Sequence, residues 1–189
     1  MSSKRTGTKV VTDRVRMSFL NWFAPRKNDL NGKEEYSAEL LIPKTDTETL
    51  NNLKAAMKEA IVAKFGDKPP PLRNPLKDGD TATKQNGDPV ADYYKGHFFL
   101  RTKSTEKPGV IGVDGNELRE AAQFVSGDYG QAAITAFAFD TTANKGVSFY
   151  LQNLLFTDKG EAFGGGKASA SDDFGIKSSA ATDFSSDFV

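Results

Sequence analysis

Cysteine is absent from the 189-residue chain and histidine occurs once, at His97. Disulfides are thereby excluded, the usual zinc and iron-sulfur sites lack their ligands, and a Ser-His triad would have to rest on one imidazole. No apolar run reaches the roughly 18 residues of a membrane-spanning helix. The opening MSSKRTGTKVV has no apolar core of signal-peptide length. Net charge is missing too, since 25 basic and 25 acidic residues cancel. What these absences leave is a cytoplasmic protein with no metal, no cofactor and no membrane partner. Its 38% hydrophobic content suffices for one domain plus accessories to bury a core without covalent staples.

The zero charge hides a division. Residues 161–189 hold the acids Glu161, Asp172, Asp173, Asp183 and Asp187 against the bases Lys167 and Lys177, so the tail carries −3 and the body +3. Enzyme motifs are poor. A phosphate loop ending in Gly166-Lys167 would need glycine where Glu161 stands and Ser or Thr where Ala168 stands. Asp92 and Lys95 are one residue too far apart for a nuclease-like Asp-x-Lys pair. A non-enzymatic protein is expected.

What is present is β patterning. From Tyr129 to Phe139 the chain alternates, with Tyr129, Gln131, Ala133, Thr135, Phe137 and Phe139 on one face and Gly130, Ala132, Ile134, Ala136 and Ala138 on the other. A break at residues 140–146 and a second run from Val147 to Leu155 predict a long hairpin. One face is small and the other aromatic, so one should meet the core and the other something else. Thr8–Phe19 also alternates, placing Val11, Val15, Met17 and Phe19 on one face and Val10, Thr12, Arg14, Arg16 and Ser18 on the other. The two arginines are either a binding face or a solvated one. Trp22 is expected in the core, with a ligand platform as the alternative, and residues 27–33 read as a turn.

Glu35–Ile42 predicts a second strand with Tyr36, Ala38, Leu40 and Ile42 on one face, closed by Pro43. Thr45 to Glu48 has capping-box spacing, and Leu50, Leu53, Met57, Ile61 and Phe65 predict one amphipathic helix that stops at Gly66. Residues 67–95, with five of the eight prolines, predict a long irregular loop that ends in Tyr93, Tyr94 and Lys95. The next strand places His97, Phe99, Arg101 and Lys103 on one face and Phe98, Leu100 and Thr102 on the other. An aromatic with two cations on one strand face can stack a base while neutralising the phosphates beside it; the alternative has Phe99 buried and the cations solvated. Lys107-Pro108-Gly109 turns into a short strand over 110–113, and residues 117–127 read as a helical turn or loop. Beyond Phe156 come linker-like Gly164-Gly-Gly and two acidic-aromatic islands, Asp172-Asp-Phe-Gly-Ile176 and Asp183-Phe-Ser-Ser-Asp-Phe-Val189.

In order along the chain, VRMSFLNWFAPR, YSAELLIPKTDTETLNNLKAAM, NPLKDGD, GHFFLRTKSTEKPGVI, the hairpin with NKG, and the Gly-rich linker into DDFG resemble the phage single-stranded DNA-binding proteins long filed as a domain of unknown function. The resemblance covers about residues 8–176, and residues 36–44, 96–99 and 107–110 match the family pattern residue by residue. It implies an OB-fold barrel that coats single-stranded DNA in phage replication or recombination. Other replicative single-strand binders similarly end in an acidic tail with a terminal aromatic. The expected fold is mainly β, an OB-fold-like barrel with one amphipathic helix, a long irregular loop and a disordered acidic C-terminal tail. The helix falls between the second and third strands, where the usual OB order has it between the third and fourth.

Expected boundaries are a disordered 1–7, a binding domain over 8–160 and a linker with tail over 161–189. Arg14, Arg16, Tyr94, Phe99, Arg101, Lys103, Lys107 and Tyr129 are the expected nucleic-acid site. Asp183, Phe184, Asp187 and Phe188 are expected to dock phage or host replication proteins, with the tail competing against DNA and with self-association along DNA as a further option. A structural virion or tail β-protein without DNA affinity is the competing reading.

Overall fold

Pairing begins earlier than composition suggests. In the computed structural model, which describes residues 2–29, 31–161 and 163, Lys4–Thr6 (β1) and Lys9–Val11 (β2) form a hairpin that turns at Gly7, φ +59°. The sequence predicts no order for residues 1–7 because they carry no apolar pattern. Residues 3–6 are held instead by backbone pairing, by the Ser3 hydroxyl donating to Val11 O at 2.9 Å, and by Arg5 reaching Glu59 at 2.8 Å.

The strand predicted over Thr8–Phe19 is two strands. After β2 the chain bends at Asp13–Arg14 and resumes as β3 (Val15–Lys27). Thr12 N still donates to Ala132 O at 3.0 Å, but the Thr12 hydroxyl accepts from Ala132 N at 3.0 Å and Asp13 N donates to Thr49 Oγ1 at 3.0 Å, so side-chain bonds take over part of the ladder there. The bend resets the alternation, and Val10 rather than Val11 joins Val15 and Met17 in the core. A second reset follows at Phe19, whose φ of +42° marks an irregularity between Ser18 and Asn21. Phe19, which alternation places on one face with Val15 and Met17, is instead turned outward and 53% exposed, while Trp22 turns inward and donates from Nε1 to Phe124 O at 2.8 Å. Trp22 is thus a core residue.

Glu34–Pro43 (β4) directs Ala38, Leu40 and Ile42 inward as its alternation predicts. Helix α1 (Thr47–Phe65) starts one residue later than its capping-box spacing suggests, since Asp46 rather than Thr45 caps it by accepting from Thr49 N at 3.0 Å, and Gly66 at φ +71° ends it. Leu50, Leu53, Ala56 and Ala60 enter the core as α1 lies against the sheet. The irregular segment contains a short strand, β5 (Lys77–Asp78), and a 3-10 turn at Asp92–Tyr94. His97–Ser104 (β6), Gly109–Gly112 (β7), Tyr129–Asp140 (β8) and Lys145–Asp158 (β9) follow.

β3 pairs with β4, β4 with β6, β6 with β9, β9 with β8, and β8 returns to β3. The β6–β9 join is parallel and the others antiparallel, a five-stranded OB arrangement with α1 between its second and third strands. The ring is partly open, because β3 meets β8 only at Val15–Gly130 and Arg16–Tyr129, and β6 meets β9 only at Thr102–Phe149 and Lys103–Tyr150. On β8 the small face points inward, with Ala132, Ile134 and Ala136 buried, and the aromatic face points out. Residues 117–127 contain a 3-10 turn at Ala121–Gln123 and deliver Phe124 into the core. A Cβ at Gly130 would meet Phe124 Cζ at 2.8 Å and collide with Leu155 O, so only glycine lets that ring and strand approach. Among the described residues no helix is long and apolar enough to cross a membrane.

Candidate nucleic-acid interface

Side chains on the outer face of β3, β4 and β6 line up by register, Arg16 with Leu41 and Phe99, then Ser18 with Glu39 and Arg101, then Asn21 with Ser37 and Lys103. Such a face would normally be solvated. Here the irregular segment folds across part of it, because β5 pairs with Phe98 and Phe99 and the 3-10 turn lays Tyr94 over the sheet. Lys44 anchors that segment by bridging Asp78 and Asp80 at 2.6 Å each. Its hydrogen bonds hold both carboxyls below their ordinary range and raise the Lys44 ammonium.

Between this cover and the β8–β9 hairpin lies a cleft of about 860 Å³. Arg73, Lys77, Lys84 and Arg101 supply its cations, Phe19, Tyr93, Tyr94, Phe99 and Phe139 its rings, and no carboxylate lines it. Arg73, Lys77 and Lys84 form no ion pair with a described residue. Phe99 and Tyr94 are only 7% and 6% exposed, packed on each other at 4.7 Å, so they are the floor of the cleft and offer no ring face to a base. The expectation of stacking on those two residues is revised by that burial, since strand alternation cannot show that a later loop covers the outer face.

Beneath the floor Glu39 is fully buried and accepts hydrogen bonds from the Tyr94 hydroxyl and from Arg101 Nε at 2.7 Å. Burial, followed by the Glu39 carboxylate, pushes the Tyr94 hydroxyl well above the phenol range, so Tyr94 stays a proton donor. The Arg101 side chain is nevertheless 74% exposed, with its guanidinium carbon 5.3 Å from the centre of the Phe19 ring. Glu39 therefore orients Arg101 while leaving its outer edge free.

Beyond Phe139 the outward rings continue, with Phe137 6.5 Å from it and stacked on Tyr150 at 3.9 Å and 15°. Lys103, the register partner of Tyr150, bonds Glu35 at 3.2 Å. Burial raises the Glu35 carboxyl, but hydrogen bonds from Asn28, Asn31 and Lys103 outweigh it and hold the group low.

Other expected site residues fall elsewhere. Arg14 lies 3.7 Å over the Tyr129 ring and pairs with Asp158 at 2.8 Å, a hydrogen bond that raises the guanidinium and depresses the carboxyl. Arg16 donates from Nε to Gly127 O at 3.1 Å. Lys107 sits 4.9 Å over Phe23, apart from the cleft. Asp183, Phe184, Asp187 and Phe188 lie outside the described residues. The structure adds Phe19, Arg73, Lys77, Lys84, Tyr93 and Phe139 to the candidates. Phe139 carried a signal as part of the aromatic face of the hairpin, and Tyr93 as one of two aromatics beside Lys95 at the end of the irregular segment.

The sequence profile described as Enterobacter phage Enc34, ssDNA-binding protein, matches residues 8–189. Protein p50 of Acyrthosiphon pisum secondary endosymbiont phage 1 is 30% identical over 177 residues, covering 88% of this chain and 92% of its own. Among solved structures, the single-stranded DNA-binding protein from bacteriophage Enc34 in complex with ssDNA superposes with a TM-score of 0.74 at 18% identity, over 83% of this chain and 90% of that one. For gp2.5, a single-stranded DNA binding protein encoded by bacteriophage T7, the TM-score is 0.60 at 14% identity, over 95% and 98%. At such identities the superpositions speak for a common fold, whereas the profile spans nearly every residue described above: the chain belongs to the Enc34 ssDNA-binding protein family.

Proposed function

We propose that the chain binds single-stranded DNA without sequence preference, phosphates lying along the cations of the cleft and bases stacking on the rings beside them. The observation that carries this reading is the lining itself, four cations with the rings of Phe19, Tyr93 and Phe139 above the buried floor and no carboxylate. Every base offers a π face, so such a surface tolerates sequence, and a duplex hides those faces. In this mode Phe19 and Phe139 are the platforms at the cleft, Phe137 and Tyr150 extend the track, and Arg101 and Lys103 hold backbone. Membership of the Enc34 family supports the same reading. No covalent chemistry is proposed.

The role is to coat and protect single strands during phage DNA replication or recombination in the host cytoplasm. Residues 8–160, extended by β1, form the binding domain, and 161–189 serve as an accessory segment. Filter binding on oligo-dT against duplex DNA tests the activity. Retention of oligo-dT over duplex is expected, and no retention would favour a virion β-protein instead.

The −3 tail also competes with DNA for the +3 body, and Asp183, Phe184, Asp187 and Phe188 dock a replication partner. Deleting residues 172–189 should tighten oligo-dT binding, most at low salt where exposed charges are least screened. Equal affinity of the truncated and full chains at low salt would remove the competition.

A further inference from the structure

An aromatic column leaves the floor of the cleft. Phe99 meets Tyr94 at 4.7 Å, Tyr94 meets Tyr93 at 4.5 Å, and Tyr93 stacks on Phe163 at 3.9 Å and 27°. Phe163 is thus the last ring of the column and comes from beyond the last strand. A ring stacked at 3.9 Å fills one face of Phe163, which leaves the other for the Arg16 guanidinium, 4.3 Å from its centre. Arg16 is held in that position from two sides, donating to Gly127 O through Nε and to Glu161 O through a terminal nitrogen. The Tyr93 face is therefore built on a packed support of two rings, closed above by a cation, and filled by a side chain that no strand or helix fixes.

An aromatic floor with a guanidinium lid is the environment that a nucleobase takes, a π face on one side and a planar cation on the other. We propose that the Tyr93–Arg16 slot is a nucleobase subsite, and that Phe163 is the chain's own occupant, which single-stranded DNA must displace. This rests on the single-strand reading and adds a defined position to it. The slot joins Arg16, which lies away from the cleft, to the Tyr93 rim, so a strand leaving the cleft would pass directly onto it. The contact is apolar stacking by one residue at the start of the C-terminal segment. It is separate from electrostatic competition by the acidic islands.

The test is fluorescence anisotropy with labelled oligo-dT on the full chain and on Phe163→Ala, Tyr93→Ala and the double variant. An occupant present 70 to 90% of the time lowers apparent affinity by the competent fraction, so Phe163→Ala should bind about 3- to 10-fold more tightly. In the Tyr93→Ala background the same change should have no effect, because the slot is gone. The gain should persist at about 0.5 M salt, where competition between exposed charges is screened. Should Tyr93→Ala melt early, Tyr93→Leu keeps apolar volume without the π face and serves in its place. A wild-type chain that binds no oligo-dT overturns the single-strand reading and the subsite with it. A wild type that binds, with Phe163→Ala no tighter, or equally tighter without Tyr93, or tighter only at low salt, overturns the subsite alone.

Discussion

Replacing Arg73, Lys77 and Lys84 together by alanine should weaken oligo-dT binding about 100-fold at 0.1 M salt, with little change near 1 M. Each cation that neutralises a phosphate on a single strand releases counterion and contributes about 0.7 to the slope of log K against log salt, so three remove about two units of slope. At 0.1 M that is roughly two decades of affinity, and near 1 M the term vanishes. These three cations are informative because their side chains make no ion pair or hydrogen bond with a described residue. Arg73 N bonds Lys145 O, and Lys77 pairs with Phe99 through backbone, so alanine preserves both links. An unaltered slope in a variant that melts like the parent would remove the cleft from the phosphate path.

The second large effect is on stability. Trp22→Ala should cost about 3 to 5 kcal/mol, the range for truncating a large aromatic in a packed core. A further loss of about 1 kcal/mol follows from leaving the Phe124 carbonyl without its indole donor. Trp22→Phe should recover most of the packing and none of the hydrogen bond. Urea unfolding followed by circular dichroism measures both, and a cost below about 1 kcal/mol for alanine would mean that Trp22 is not the anchor of the β3 irregularity.

The inward faces were legible where one strand keeps one phase. On β4, β6 and β8 the residues that alternation placed together are the ones found together, as with Ala38, Leu40 and Ile42. Reading failed where a phase reset intervened. Nothing local in the residues around Phe19 announces a φ of +42°, which accompanies the burial of Trp22 against Phe124, a contact with a residue far along the chain. The N-terminal hairpin was illegible for a related reason, being ordered by β8 and α1 far along the chain rather than by an apolar pattern of its own.

The site divides the same way. Residue order alone determined that the hairpin has a small and an aromatic face, that Arg101 and Lys103 share an outer face with Phe99, that the helix separates two strands, and that acid is concentrated at the end of the chain. These follow from the period of two along a strand and from composition, which are local properties. Tertiary structure decided which ring is floor and which is rim. Tyr93 and Tyr94 are neighbours in sequence, yet the 3-10 turn buries one over Glu39 and gives the other a free edge at the cleft and a face to Phe163. It also brought Arg73, Lys77 and Lys84 from an unpatterned loop to one wall with Phe19 and Phe139. Burial of an outer strand face depends on what else in the chain comes to lie across it, and that is a long-range contact which no local pattern encodes.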